Sequence, residues 1–288
     1  MSGHPTFAAG PLAESSSVPT FAEFCSAVSN ELLVDLDGAS EESLLVDDLG
    51  FDSLALIELV VLAERWAAAP WPEDLIASLR TLGDVYHHLC TSAQDGPRPS
   101  APGAPGRLEG PNVSLRPVLA QDESYLTALH LWGDGFIRYR FRGRTPNPDA
   151  LRRLLWEEVL AQFMITCGGG RRVGLVSAFE PDPRNRTVHL AVLQDPEWAG
   201  SGLALEGVAV FLSYLFSQFD LRKVYAECLE GNYTPFASGS GRFFDVEGRL
   251  RAHEYVDGRY EDVYLLAVER SRWADQHRRL FGQDVPWR

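Results

Sequence analysis

The chain changes its hydrophobic rhythm once, near residue 112. Before that point apolar positions recur at helical spacing. Residues 20–34 predict an amphipathic helix, with Thr20 at its N-cap and Glu23 three residues on as the partner of a capping box. A long loop follows from Asp35 to Asp48. A second apolar run then starts at Leu54 and predicts a helix from Ser53 to about Trp66. Pro70 and Pro72 end it, because proline lacks the N–H a helix interior needs. Two shorter helices are predicted at Glu73–Leu79 and Leu82–Cys90. Residues 94–111, rich in Pro, Gly and Ala, read as a semi-flexible linker, and residues 1–18 as a disordered leader.

From Val113 the period shortens to that of strands. Val113–Val118 predicts a strand, followed by helices at Asp122–Trp132 and Pro148–Glu158. Gln162–Cys167, the Gly168-Gly169-Gly170 turn and Arg172–Phe179 predict a hairpin. A strand at Thr187–Leu193, a helix at Leu205–Phe219 and a strand at Lys223–Leu229 come next. Strands at Phe244–Val246, Arg249–Tyr255 and Asp262–Val268 close the chain. The fold expected is therefore multidomain: an all-α four-helix unit over 19–93, then an α/β unit over 112–288 with a mixed sheet.

Charge sharpens this division. The chain carries a net charge of −14. Between Phe21 and Cys90 the only basic residues are Arg65 and Arg80, against 14 carboxylates. The second unit is close to neutral, which points to electrostatic docking between an acidic unit and a partner and away from nucleic acid. The four cysteines, Cys25, Cys90, Cys167 and Cys228, have no metal-ligand spacing, and no metal is expected. Free thiols and the lack of a bilayer-spanning run or signal peptide suggest a cytoplasmic protein with no membrane partner.

The chemistry concentrates in two places. The first is Leu49-Gly50-Phe51-Asp52-Ser53-Leu54. Asp52 is placed to cap the helix that follows, which leaves the Ser53 hydroxyl exposed at the helix start. This segment resembles the modification site of acyl carrier proteins. The resemblance implies a 4'-phosphopantetheine arm on Ser53, attached by a phosphopantetheinyl transferase, and biosynthetic acyl-loading or acceptor enzymes as partners.

The second is Ala199-Gly200-Ser201-Gly202-Leu203-Ala204, between a strand end and a helix. Glycines there let backbone N–H groups and a helix N-terminus approach a phosphate. With Asn232, Phe243-Phe244, Glu247-Gly248 and the tail Asp257–Leu265, the stretch resembles GCN5-related N-acetyltransferases (GNAT), closest to the ribosomal-protein-alanine acetyltransferase branch. That resemblance implies a splayed central sheet with Thr187–Leu193 and Lys223–Leu229 parting to admit pantetheine. It makes Gly200, Ser201, Gly202, Leu203, Ala204 and Asn232 the cofactor-binding residues. Ala199 stands where Gln or Arg is usual, and Ser201 where a basic residue is common. A loop short of cations suits a carrier-borne phosphodiester better than coenzyme A, which has more phosphate to hold.

For proton transfer the resemblance points to the strand before this loop, where His189 stands, and histidine is the side chain that changes charge near neutral pH. The family's general-acid tyrosine has no counterpart after Asn232, which leaves Tyr233 and Ser240, with Ser238, as candidates. Phe136–Arg144 alternates arginine with apolar residues. If extended, it puts Arg138, Arg140, Arg142 and Arg144 on one face as an acceptor or carrier dock. Trp132 and Trp156 read as core. The leading expectation is an acyltransferase of specialised (polyketide or nonribosomal-type) biosynthesis that moves an acyl group from the Ser53 arm to a small-molecule amine. The alternatives are loading of that arm from acyl-CoA, some such domains decarboxylating first, and a non-catalytic docking scaffold.

Overall fold

The computed structural model describes residues 19–67, 71, 75, 78–94, 108–131, 142–144, 147, 149–150, 153 and 155–281. The chain divides between Gly103 and Ala104 into two compact units.

The first unit is helical. Helix α1 (Phe21–Leu32) starts at the expected capping box: Glu23 N–H donates to Thr20 Oγ1 at 3.3 Å, and Thr20 N–H donates to Glu23 Oε2 at 2.7 Å. Helix α2 (Ser53–Ala67) buries Ala55, Leu59, Leu62 and Ala63, one stripe at helical spacing. Helix α3 (Leu82–Gln94) buries Leu82, Val85 and Leu89 against the same core, together with Phe24, Val28 and Leu32 of α1. The helix expected at Glu73–Leu79 falls largely outside the described residues. The long loop between α1 and α2 is anchored rather than loose. Leu45 and Phe51 are buried, Leu45 N–H donates to Arg80 O at 2.9 Å, and Leu82 N–H donates to Ser43 O at 3.0 Å.

The second unit is one seven-stranded sheet in the order β1-β2-β3-β4-β5-β7-β6. Its strands are β1 (Ser114–Pro117), β2 (Val159–Cys167), β3 (Arg171–Asp182), β4 (Thr187–Gln194), β5 (Lys223–Leu229), β6 (Asp245–Val256) and β7 (Arg259–Glu269). Every pairing is antiparallel except β4 with β5. Helix α4 (Glu123–Leu131) packs on one face through Leu126 and Leu129, which meet Met164, Leu175 and Leu193. On the other face lies α5 (Leu203–Gln218), the crossover between the two parallel strands, where Phe211 packs edge-on to Phe163 at 5.9 Å.

Several sequence expectations shift. β2 starts at Val159, and residues 155–158 form a turn, so the helix expected to reach Glu158 stops earlier. Trp156 is on that turn and 60% exposed, because the adjacent Leu155 is the residue that enters the core. Trp132 lies outside the described residues. The two segments expected at 244–255 form one strand, β6, with register shifts near Gly248 and between Leu250 and Glu254. Helix α7 (Arg270–Phe281) is an addition to the sequence reading. Its Trp273 is buried and donates its indole N–H to Ser213 Oγ of α5 at 3.1 Å. A short helix, α6 (Glu230–Tyr233), follows β5.

The start of the second unit is held by charge. Asp122 is fully buried and accepts both arms of the Arg116 guanidinium at 2.7 and 2.8 Å, Arg172 Nε at 3.0 Å and Leu119 N–H at 2.9 Å. The hydrogen bonds from Arg116 hold its carboxyl down at about 2. At the other side of the sheet, Lys223 lies between Glu247 and Glu269, the latter at 3.3 Å.

Candidate functional site

The parallel pair organises the site. β4 and β5 are in register at Thr187↔Lys223, Val188↔Val224 and His189↔Tyr225, and the pairing ends there. Beyond His189 the side of β4 that faces β5 has left its ladder, which opens a gap at the carboxyl ends of two parallel strands. That is where open α/β sheets bind ligands.

The loop leaving β4 is internally fixed. Asp195 caps the 3-10 turn Pro196–Trp198 by accepting Glu197 N–H at 3.0 Å. Trp198 donates its indole N–H to Arg172 O at 2.9 Å, and its carbonyl accepts from the Gln194 amide and from the Ser201 hydroxyl, the latter at 2.7 Å. Gly200 (φ 77°) and Gly202 (φ 78°) are both left-handed, a region L side chains rarely adopt. Gly202 is the N-cap of α5 and has no side chain with which to cap it. A Cβ at Gly200 would stand in open space, so the turn presents its backbone to solvent.

The first intrahelical bond runs from Glu206 N–H to Gly202 O at 3.1 Å, so the N–H groups of Ala204 and Leu205 precede it. Leu203 N–H reaches Ser201 Oγ at 3.3 Å. Glu206 faces away from that end: its carboxylate accepts the backbone N–H groups of Asn112 and Val113 at 2.7 and 3.2 Å. Arg171 stacks over the Trp198 ring at 4.2 Å and pairs with Glu197 at 2.9 Å, so its charge is already balanced. The attraction this loop offers an anion therefore comes from backbone N–H groups and the helix dipole.

His189 sits at the vertex of the gap, half-buried, with the rings of Phe179 and Tyr225 on either side at 5.9 and 5.8 Å. Strand alternation puts it on the α4 face of the sheet, with Ser177 and Ala191. The same alternation adds Gln162 of β2 and Tyr225 and the exposed Glu227 of β5. The sequence reading passed over these. Their signal was a polar residue on strands that bury apolar side chains on both faces.

The candidates after β5 lie elsewhere. Tyr233 stacks on Tyr264 at 4.2 Å, with Phe236 and Phe244 edge-on to it. Tyr264 pairs with Cys228 and so faces the α5 side, opposite to His189. Asn232, Ser238 and Ser240 are exposed. Burial pushes the Cys228 thiol up to about 12, so at neutral pH it stays protonated and is a poor nucleophile.

Of the arginine segment, Arg138 and Arg140 lie outside the described residues. Arg142 (φ 48°) and Gly143 (φ 78°) form a turn, so an extended face does not continue through them to Arg144. Arg142 instead pairs with Glu254 of β6 at 3.1 Å.

In the first unit, Ser53 is the first residue of α2. Asp52 Oδ1 accepts Ala55 N–H at 2.9 Å, and Leu56 N–H donates to Asp52 O at 2.9 Å, which is the expected cap. Among the described residues, no group of three or more His, Cys, Asp or Glu could hold a metal ion. No described helix is long and apolar enough to cross a membrane.

Comparison with known proteins assigns both units. Residues 112–235 match the acetyltransferase (GNAT) domain family. Over 171 residues the chain is 23% identical to spermidine N(1)-acetyltransferase of Escherichia coli K12, covering 58% of this chain and 91% of that one. Over 62 residues it is 37% identical to an acyl carrier protein of Syntrophobacter fumaroxidans, covering 22% of this chain and 76% of that protein. An acyl carrier protein of Clostridium perfringens is 32% identical over 62 residues, with 82% of it covered. Among solved structures, the spermidine N-acetyltransferase of Vibrio cholerae in complex with CoA and spermine shares the fold. Its TM-score is 0.50 at 22% identity, over 56% of this chain and 98% of that one.

Proposed function

The chain belongs to the acyl carrier family in its N-terminal region and carries a GNAT acyltransferase domain behind it, and on that premise we propose that the second unit transfers an acyl group from a phosphopantetheine arm on Ser53 to a small-molecule amine. The setting would be specialised biosynthesis, with a phosphopantetheinyl transferase and acyl-loading enzymes as partners. The observation that carries the reading is the donor loop at the mouth of the β4–β5 gap. It offers a helix N-terminus open at Ala204 and Leu205, two left-handed glycines, and an arginine, Arg171, that is already paired with Glu197. Such a loop suits the single phosphodiester of a carrier-borne arm.

Gly200, Gly202 and Ala204 would hold the phosphate through backbone N–H groups, with Ser201 Oγ keeping the Leu203 N–H, and Asn232 would hold a pantetheine amide. The arm, when bound, supplies an acyl thioester, from which an amine displaces the thiol as a C–N bond forms and the C–S bond breaks. Backbone N–H groups of β4 beyond His189 face the gap and are placed to stabilise charge developing on a carbonyl oxygen. His189, at the vertex, takes the proton the amine must lose, directly or through water. Tyr225 and Phe179 hold the imidazole between them.

The test is a donor competition on the full chain. With equal acyl groups on the Ser53 arm and on coenzyme A, transfer to an added amine should favour the carrier by about 10-fold or more. That corresponds to roughly one charge-assisted hydrogen bond missing for the larger ligand. His189→Ala should lower that transfer by about 100-fold. An equal or greater rate from acyl-CoA would favour a second reading, in which coenzyme A loads the Ser53 arm. That reading has in its favour the CoA bound by the Vibrio cholerae relative.

A further inference from the structure

Gln162 is 8% exposed, and neither Oε1 nor Nε2 meets a hydrogen-bond partner among the described residues. Burying a dry carboxamide is unfavourable, and Met or Leu would fill the same volume without that cost. Its position gives a reason for it. Gln162 is in register with Ser177 of β3, and Ser177 with Ala191 of β4. Alternation places all three on the α4 face.

The rows on either side of this one are large. On one side stand Met164, Leu175 and Leu193, packed on Leu126 and Leu129. On the other stand Phe179, His189 and Tyr225. Between them stand two small side chains, the fully buried Ser177 and the half-buried Ala191, in a row that leads from β4, at the edge of the gap, to Gln162. It spans two strand spacings, about 10 Å.

We propose that this row is the acyl channel, and that Gln162 selects short acyl groups ending in a neutral hydrogen-bonding group such as a hydroxyl. The inference rests on the acyl-transfer reading above and adds the identity of what is carried. A carboxamide offers two donors and one acceptor, which a hydroxyl can answer and a methyl cannot. With the reach of the glutamine side chain taken from the 10 Å, the remaining length fits a chain of about four to six atoms beyond the sulfur.

The experiment loads the Ser53 arm of the full chain with 4-hydroxybutyryl or pentanoyl, which differ by hydroxyl for methyl, and follows transfer to an added amine. Wild type should prefer the hydroxyacyl group by at least 10-fold in kcat/KM, as sites built to bond a hydroxyl do. Gln162→Met should bring the two within about 2-fold of each other with a melting temperature equal to or above wild type. No preference in wild type, or a preference that survives in Gln162→Met, would overturn the acyl channel while transfer itself stands. A changed KM for the amine with acyl preference intact would also overturn it, since Gln162 would then read the acceptor. A melting temperature lowered by more than 5 °C would show the carboxamide to be a structural bond, against the inference. Absence of transfer from either donor would overturn the acyl-transfer reading itself and this one with it.

Discussion

Gly202→Val is expected to lower acyl transfer by at least 100-fold while leaving attachment of an arm to Ser53 unchanged. The backbone there is left-handed, at φ 78°, which costs a β-branched residue about 1–3 kcal/mol. Its side chain would also stand before the N–H groups that open α5. A second variant separates the two effects. Asparagine tolerates left-handed backbone, but at an N-cap its side-chain oxygen accepts those same N–H groups. Gly202→Asn should therefore melt within a few degrees of wild type and still lose transfer by about 10-fold. A Gly202→Asn enzyme with full transfer would mean that the amides at this helix start do not hold the donor.

The largest expected effect on stability is at Asp122. Asp122→Ala leaves the partly exposed Arg116 and Arg172 guanidinium groups and the Leu119 N–H without their carboxylate, which costs about 2–3 kcal/mol. Because the folded carboxyl is held at about 2, below the ordinary carboxylate range, its contribution is complete above pH 4. It is lost as pH falls from there to about 2. The shift corresponds to about 2–3 kcal/mol. Chemical denaturation at pH 7, 4 and 2.5 should show the wild-type second unit weakening only in the last step, and Asp122→Ala weaker at pH 7 but less sensitive to that step. Equal acid sensitivity in both would place the acid lability in another carboxylate.

Much of this architecture is legible in the chain because local patterns and tertiary packing agree. Thr20 with Glu23, Asp52 before Ser53, and the glycines after β4 each state a backbone geometry that the fold keeps. The alternation of β2 to β5 locates the sheet centre. Helix α7 was not read because its sequence, Arg-Ser-Arg-Trp-Ala-Asp-Gln-His, is strongly polar and its main anchor is the single Trp273. The arginine segment was misread at Arg142–Gly143, where a glycine turn overrides the alternation.

The candidate site was read only in part. His189 stood out through its place before the donor loop. Gln162 and Ser177 are scattered on two other strands, and only the register of the sheet brings them into line with it. No sequence spacing encodes that juxtaposition, because it depends on hairpin lengths and on bulges such as the one between Ile165 and Thr166.

The claim that the Ser53 arm is the acyl donor is tested most directly by intact-protein mass spectrometry. The phosphopantetheinylated chain, loaded with an acyl group, is mixed with an amine in the absence of coenzyme A, and the protein mass is followed with time. The acyl mass should leave the protein as the amide appears, in wild type but not in Gly202→Val, and Ser53→Ala should never gain an arm. Persistence of the acyl mass in wild type, or no arm on Ser53, would contradict it.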